Sequence, residues 1–345
     1  METKEILKNL VSYNTIKDKE NKEIMDYIEK YLKDYNFTIE RSDKCLIAFN
    51  SKNTNIGFMG HTDTVDYESW DGNPFELKEI GDKLIGLGAC DMKGGIAAIL
   101  KAISEVDLTK NKISLYFTND EEIGFEGIKT IKDRVKSNNI IVCEPTNNIP
   151  VYGTKGALGL QIEFYGIKCH SSTPDKGISA IDECIKFINE IKDYYEELKK
   201  DKVEDFEIPY TTMNIGMIKG GETINSLAGK CEISMDFRIV KEEHIEIIIN
   251  KIKNILKKYN SKLTICVSIK PKLNHSNIEF IEDISSKKET RCYVTEGSFI
   301  DKNFIILGPG PDTSHQKNEY ILVDSLEKTK DLYIKIIEYY NRKKE

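Results

Sequence analysis

Five short polar motifs in this 345-residue chain carry the side chains best suited to chemistry. They are Gly60-His61-Thr62-Asp63-Thr64, Ala89-Cys90-Asp91-Met92-Lys93-Gly94-Gly95, Asn119-Asp120-Glu121-Glu122, Cys143-Glu144-Pro145-Thr146 and Ser314-His315-Gln316. Together they offer two imidazoles and three carboxylates, an oxygen and nitrogen donor set that suits Zn²⁺ or a similar divalent ion. One acid beyond those needed as ligands, Glu121, is free to act as a base. The chemistry expected of such a set is metal-assisted hydrolysis. Two ions ~3.5–4 Å apart lower the pKa of a shared water and polarise a carbonyl. Any one of these residues alone would more often be a packed or solvated side chain; the recurrence of the motifs carries the reading.

Each motif must be positioned by an element, and apolar runs precede four of them. Ile56-Gly57-Phe58-Met59 leads to His61, Ile113-Ser114-Leu115-Tyr116-Phe117 to Glu121 and Glu122, and Ile140-Ile141-Val142-Cys143 to Glu144. Phe304-Ile305-Ile306-Leu307 leads through Gly308-Pro309-Gly310 to His315. Such runs read as buried strands of a largely parallel sheet, whose carboxyl ends are where α/β proteins gather ligands. Helical patterns separate them, as over residues 95–106. Adjacent Glu121 and Glu122 would face opposite sides of a strand, so both reach one site only if the backbone turns. Ile123-Gly124 offers a place for that turn.

Residues 155–270 follow another rhythm. A strand pattern at 158–165 precedes a helix in which Ile178, Ile181, Ile185, Ile188 and Ile191 recur at helical spacing. Strands at 212–218 and 230–239, a helix at 243–259 and a strand at 263–269 complete the order β-α-β-β-α-β, the ferredoxin-like arrangement. Residues 1–154 and 271–345 must therefore form one metal-bearing domain, interrupted by this insertion.

Composition narrows the function classes. A net charge of −7 and a pI near 5.5 argue against nucleic acid or an anionic membrane as the main partner. A signal peptide and a membrane-spanning helix are not expected. The eight cysteines include no Cys-x-x-Cys pair and read as reduced thiols of a cytoplasmic protein, with Cys90, Cys143 and Cys169 packed in the core. Gly86-Leu87-Gly88 meets Asp91 where a dinucleotide fingerprint wants glycine, and no Walker loop is present.

On these motifs, in this order, the chain resembles a family of two-zinc aminoacylases, exopeptidases and deacylases that includes acetylornithine deacetylase and succinyl-diaminopimelate desuccinylase. Residues 58–95, 208–238 and 295–320 look most like the former. The resemblance implies an α/β fold, a zinc-exopeptidase-like, mostly parallel sheet between helices, with a ferredoxin-like lid and dimerisation domain. It implies that Asp91 bridges two ions, His61 and Glu144 completing one site and Glu122 and His315 the other. Glu121 is then the general base, and Asp63 fixes the His61 tautomer. His170, in Cys169-His170-Ser171-Ser172-Thr173-Pro174, would stabilise an oxyanion from the partner subunit of a homodimer. Asn225 and Arg238 match positions that hold a substrate carboxylate. Glu296, in Thr295-Glu296-Gly297, would recognise a cationic substrate side chain or position what does. Ser179 departs from the family's usual asparagine.

The function so implied is removal of an acyl group from an N-acyl-L-amino acid, foremost N-acetyl-L-ornithine in arginine biosynthesis, by Zn²⁺ or Co²⁺. The rivals are succinyl-diaminopimelate hydrolysis and dipeptidase or exopeptidase action. A non-catalytic relative would be expected to lose a ligand or the base, and this chain keeps them.

Overall fold

The computed structural model describes residues 1–16, 21–67, 70–274, 281 and 284–342. The chain divides into two compact units. Met1–Tyr152, Asn274–Glu289 and Thr295–Glu345 make the first, and Gly153–Leu273 with Thr290–Val294 the second.

In chain order the first unit begins with α1 (Thr3–Val11), α2 (Lys22–Lys33), β1 (Thr38–Ser42), β2 (Cys45–Phe49) and β3 (Ile56–His61). A hairpin of β4 (Lys78–Ile80) and β5 (Lys83–Ile85), then α3 (Gly94–Glu105), β6 (Ile113–Thr118), α4 (Glu126–Ile131) and β7 (Asn139–Val142) follow. β8 (Val151–Thr154) carries the chain into the second unit, made of β9 (Gly156–Tyr165), α5 (Ala180–Leu198), β10 (Thr212–Gly220), β11 (Lys230–Ile239), α6 (Glu243–Leu256) and β12 (Ser261–Ile269). After β13 (Lys272–Leu273) and β14 (Glu289–Arg291), the first unit resumes with β15 (Asn303–Ile306), β16 (Tyr320–Leu322) and α7 (Val323–Arg342).

The sheet of the first unit runs in the order β1-β2-β6-β3-β7-β15. β3 is parallel to β6 and β7, and β15 is parallel to β7, so four central strands point the same way. β1 and β2 are antiparallel additions at one edge. Every residue of β3 and β6 is buried, as continuous Ile, Leu, Phe and Tyr runs require when helices cover both faces. α3 is apolar nearly all round, packs between α1 and α7, and starts very close to the sheet. A Cβ on Gly95 would sit 2.0 Å from the Cys143 carbonyl oxygen, so only glycine lets the helix approach the end of β7.

The second unit is a four-stranded antiparallel sheet, β10-β11-β9-β12. Burial alternates along β9 and β11, and the buried side packs Leu158, Leu160, Ile162, Ile233 and Met235 against the helices. The ferredoxin-like order holds. The apolar stripe of α5 differs from the one the isoleucine spacing predicts. Ser179 caps the helix, its Oγ accepting from Asp182 N at 3.2 Å, which leaves Ile178 outside it. Ile185 is 48% exposed, and Ala180, Cys184, Phe187 and Ile191 form the buried stripe, joined by Ile181 and Ile188.

All eight cysteines are free. Cys90 and Cys143 are buried as expected, but Cys169 is only half-buried, on a loop where its thiol donates to the Thr173 carbonyl at 3.3 Å. Among the described residues no helix is long and apolar enough to cross a membrane.

Candidate metal centre

The four parallel strands deliver their polar residues to one edge of the sheet. β3 ends at His61, whose pairing partner in β6 is Thr118. The Thr118 carbonyl accepts from the Thr62 amide at 2.8 Å and the Thr62 hydroxyl at 3.0 Å, fastening the two strand ends together. β6 then turns sharply. Asp120 (φ 75°) and Phe125 (φ 60°) are left-handed, and Gly124 and Phe125 amides donate to the Asp120 carbonyl at 3.1 and 2.7 Å. The turn runs from Asp120 to Phe125 and includes Ile123-Gly124, as the sequence leads one to expect. It brings ligand atoms of His61, Glu121 and Glu122 within 4.8 Å of one another.

Asp91 lies on the bend before α3, with φ −118° and ψ 96°, after Gly88 at φ 75°. The Asp91–Met92 peptide is cis. One Asp91 oxygen is 3.1 Å from His61 Nε2, the other 3.5 Å from His315 Nε2. The carboxylate therefore sits between the two imidazoles. Glu144, just past β7, brings Oε1 to 3.6 Å from His61 Nε2, and Glu122 brings Oε2 to 3.0 Å from His315 Nε2. His61-Asp91-Glu144 and Asp91-Glu122-His315 each offer three ligand atoms within 4.8 Å, sharing Asp91.

His61 Nδ1 faces the backbone carbonyl of Asp63 at 3.0 Å. That contact places a proton on Nδ1 and leaves the Nε2 lone pair for an ion. The Asp63 carboxylate is farther from Nδ1, at 3.6 Å, and its Oδ2 accepts from the Glu122 amide at 3.1 Å. Its Oδ1, the atom nearest the ring, is buried without a hydrogen-bond partner. The acid thus holds the Glu121-Glu122 turn as well as lying beside the ring.

The electrostatics are those of buried acids crowded together. Burial, with Asp91 next, pushes the Glu144 carboxyl up to about 8, against the pull of His61. Burial drives Glu121 well above the usual carboxylate range; His61 opposes this while Glu144, Asp91 and Glu122 add to it. Burial disfavours the imidazolium of His61, yet Glu144 and Asp91 outweigh it and raise that group well above its ordinary value. The Glu122 hydrogen bond raises His315 to about 9. The donor set is oxygen and imidazole nitrogen, and it is rich in buried negative charge. It fits divalent cations.

Two further residues brace the Asp91 bend. Lys93 is buried, donates to the Tyr13 carbonyl at 3.0 Å, and is pulled by burial down to about 7. Glu319 is buried and accepts from the Gly88 amide, and burial raises it well above the usual range. Lys93 stood in a motif; nothing local marked Glu319.

The remaining candidates are placed differently. Glu296, at 1% exposure, accepts from the Thr118 hydroxyl through Oε1, and its Oε2 has no partner. Burial pushes it up to about 7, against His61 and the Thr118 bond. A group so enclosed does not present itself to a substrate side chain; positioning is the part of the expectation its surroundings favour. His170 is exposed in the second unit, its Nδ1 2.7 Å from Ser172 Oγ. Its loop is tied to Asn225, whose carbonyl accepts from Ser171 N at 3.0 Å, so these two candidates are neighbours. Arg238, on β11, donates from Nε to Asp236 at 2.9 Å.

Residues 152–264 match the family model of the peptidase dimerisation domain M20_dimer, and residues 64–165 that of M42 glutamyl aminopeptidase. Acetylornithine deacetylase of Buchnera aphidicola subsp. Acyrthosiphon pisum is 31% identical, over 96% of this chain and 96% of that protein. The acetylornithine deacetylase of Shigella sonnei is 30% identical over 94% and 92%. Among solved structures, a tripeptidase from Staphylococcus aureus superposes with a TM-score of 0.82 at 18% identity, covering 99% of this chain and 98% of that one. An M20 family metallo-carboxypeptidase from Sulfolobus solfataricus does so at 0.79, 18% identical, covering 99% and 100%.

Proposed function

We propose that this chain, which belongs to the M20 family of metal-dependent hydrolases acting on amide bonds, removes the acyl group of an N-acyl-L-amino acid, foremost N-acetyl-L-ornithine. The observation that carries the reading is the Asp91 carboxylate between two imidazoles, shared by two three-ligand groups. His61, Asp91 and Glu144 would hold one divalent ion, and Asp91, Glu122 and His315 the other. Zn²⁺ suits the donors best, with Co²⁺ a workable substitute. When bound, such ions supply Lewis-acid polarisation of the amide carbonyl and a lowered pKa for water.

The protein's own groups do the rest. Glu121, its proton affinity raised by burial among other acids, accepts a proton from the attacking water and returns it to the leaving amine. Asp63 keeps the His61 ring in one tautomer through its carbonyl and fixes the Glu122 backbone through its carboxylate. His170 donates to the developing oxyanion, and Asn225 and Arg238 hold the substrate carboxylate. The match to a dimerisation domain and the exposed Met217, Ile218, Ile265 and Val267 on the edge strands β10 and β12 support a homodimer, with His170 acting across subunits. Free cysteines support a reducing, cytoplasmic setting.

The acetylornithine assignment rests on relatives 30% and 31% identical along nearly their whole length. Peptide hydrolysis is the second reading, favoured by the match of residues 64–165 to an aminopeptidase model. Measuring kcat/KM for N-acetylornithine, N-acetylmethionine, N-succinyl-diaminopimelate and a dipeptide panel on zinc-loaded protein tests both. The ornithine derivative should lead. Equal rates on the acyl substrates would remove the substrate assignment, and faster dipeptide cleavage would replace it.

A further inference from the structure

Glu296 poses a problem that the ligand set does not answer. A carboxylate sealed in the interior is costly, and an apolar residue of similar size would pack there without that penalty. Its partner shows what the group does. The Thr118 hydroxyl donates to Glu296 Oε1, and Thr118 is the last residue of β6, level with His61 on β3. The Thr118 carbonyl takes both donors of Thr62, and Thr62 Oγ1 accepts from Asn21 Nδ2 at 3.1 Å. Asn21, Thr62, Thr118 and Glu296 thus form a buried polar chain across the strand ends. At its far end Glu296 is anchored. The tight turn Glu296–Phe299 lies against β15, where a Cβ on Gly297 would come 2.7 Å from the Phe304 ring.

We propose that Glu296 is a positioning residue: through the Thr118 hydroxyl it fixes the end of β6, whose Thr118 carbonyl in turn holds Thr62 just past β3, so that His61 and the Glu121-Glu122 pair converge. It does not contact substrate. Thr118 is three residues from Glu121, so a slackened β6 end moves the turn that carries both acids. The inference rests on the metal-centre reading given above. Outer partners of metal ligands matter because ligand orientation decides affinity, and losing one typically weakens binding or activity by ~10–100-fold.

The test is a cobalt(II) titration followed by visible absorption, alongside kcat and KM on the best acyl substrate. Thr118→Val and Glu296→Ala should each weaken cobalt binding by about 10–100-fold, alter the cobalt spectrum and lower kcat with little change in KM. The double variant should be no worse than either single, because both cut the same bond. Thr118→Ser, which keeps the hydroxyl, and Glu296→Gln, which keeps an acceptor without the charge, should restore most of the affinity. A Glu296→Ala protein with native cobalt affinity and kcat but a raised KM overturns the proposal and makes the residue a substrate contact. Additive single losses overturn it too. Should Glu296→Ala fail to fold, as a thermal melt would show, the nearly isosteric Thr118→Val decides by the same criteria. A wild type that binds no cobalt fells the metal-centre reading along with the clamp, and is recognised before any variant is made.

Discussion

The two units present their candidate residues in opposite ways. In the first, His61, Asp91, Glu122 and Glu144 are enclosed and held by one another, by main-chain groups and by the exposed His315, beside strands whose apolar residues are buried throughout. In the second, His170 and Asn225 are exposed, and Arg238 is half-exposed with an Asp236 partner. One arrangement is organised by contacts among its own buried groups. The other has exposed groups whose orientation is set by short local contacts. Enclosed, mutually held groups suit charge development during chemistry; of the exposed ones, Arg238 suits substrate capture, and His170 suits a donor that completes the site.

That contrast can be broken by experiment. Removing the shared carboxylate with Asp91→Ala, or stripping metal with a chelator, should cost on the order of 10³–10⁴-fold in kcat/KM, as loss of several kcal/mol implies. Only the chelated protein should recover when Zn²⁺ or Co²⁺ is added back. Glu121→Gln should lower kcat by about 10²–10⁴-fold while metal content, read by elemental analysis, stays unchanged. In the second unit, His170→Ala should cost about 10²–10³-fold in kcat if it faces an oxyanion. Mixing His170→Ala and Glu121→Gln proteins would recover activity only if the subunits share sites. Arg238→Ala should raise KM about 10–100-fold with kcat nearly intact, since a charged hydrogen bond is worth ~1.5–3 kcal/mol. If Arg238→Ala instead lowered kcat alone, the division between enclosed and capturing groups would fail.

The smallest expected effect is on stability against pH. Burial raises Glu296 from an ordinary 4.5 to about 7, so the folded protein binds its proton more tightly than the unfolded chain does. The associated stabilisation is present below pH ~4.5 and is lost as pH climbs through about 7. Wild-type Tm should therefore fall relative to that of Glu296→Gln between pH 5 and 8, by a few degrees. Parallel melting curves would show that the buried acid is not the source.

Much of this architecture is written locally. β3, β6, β7 and β15 stand out because strands buried on both faces need unbroken apolar runs, and the polar motifs follow directly where those runs stop. The β-α-β-β-α-β order is visible for the same reason, through alternation and helical spacing. What escapes is what depends on distant partners or on unusual backbone. Asp120 and Phe125 take left-handed conformations without glycine, so composition does not mark where the turn containing Ile123-Gly124 begins and ends. Glu319 meets Gly88, and Glu296 meets Thr118, across stretches of chain no spacing rule spans. On α5, Ile178 fits the helical period but precedes the Ser179 cap, and Phe187 takes the core position.

Asp91's two-sided contact has a consequence for the order in which the protein is made. His61, Asp91 and Glu144 are all translated before the second unit, whereas His315 leaves the ribosome after it. A nascent chain that has just completed the ferredoxin-like insert therefore owns every residue of one candidate cation group and lacks the imidazole of the other. In the order of synthesis the His61-Asp91-Glu144 group is therefore complete before the Asp91-Glu122-His315 group.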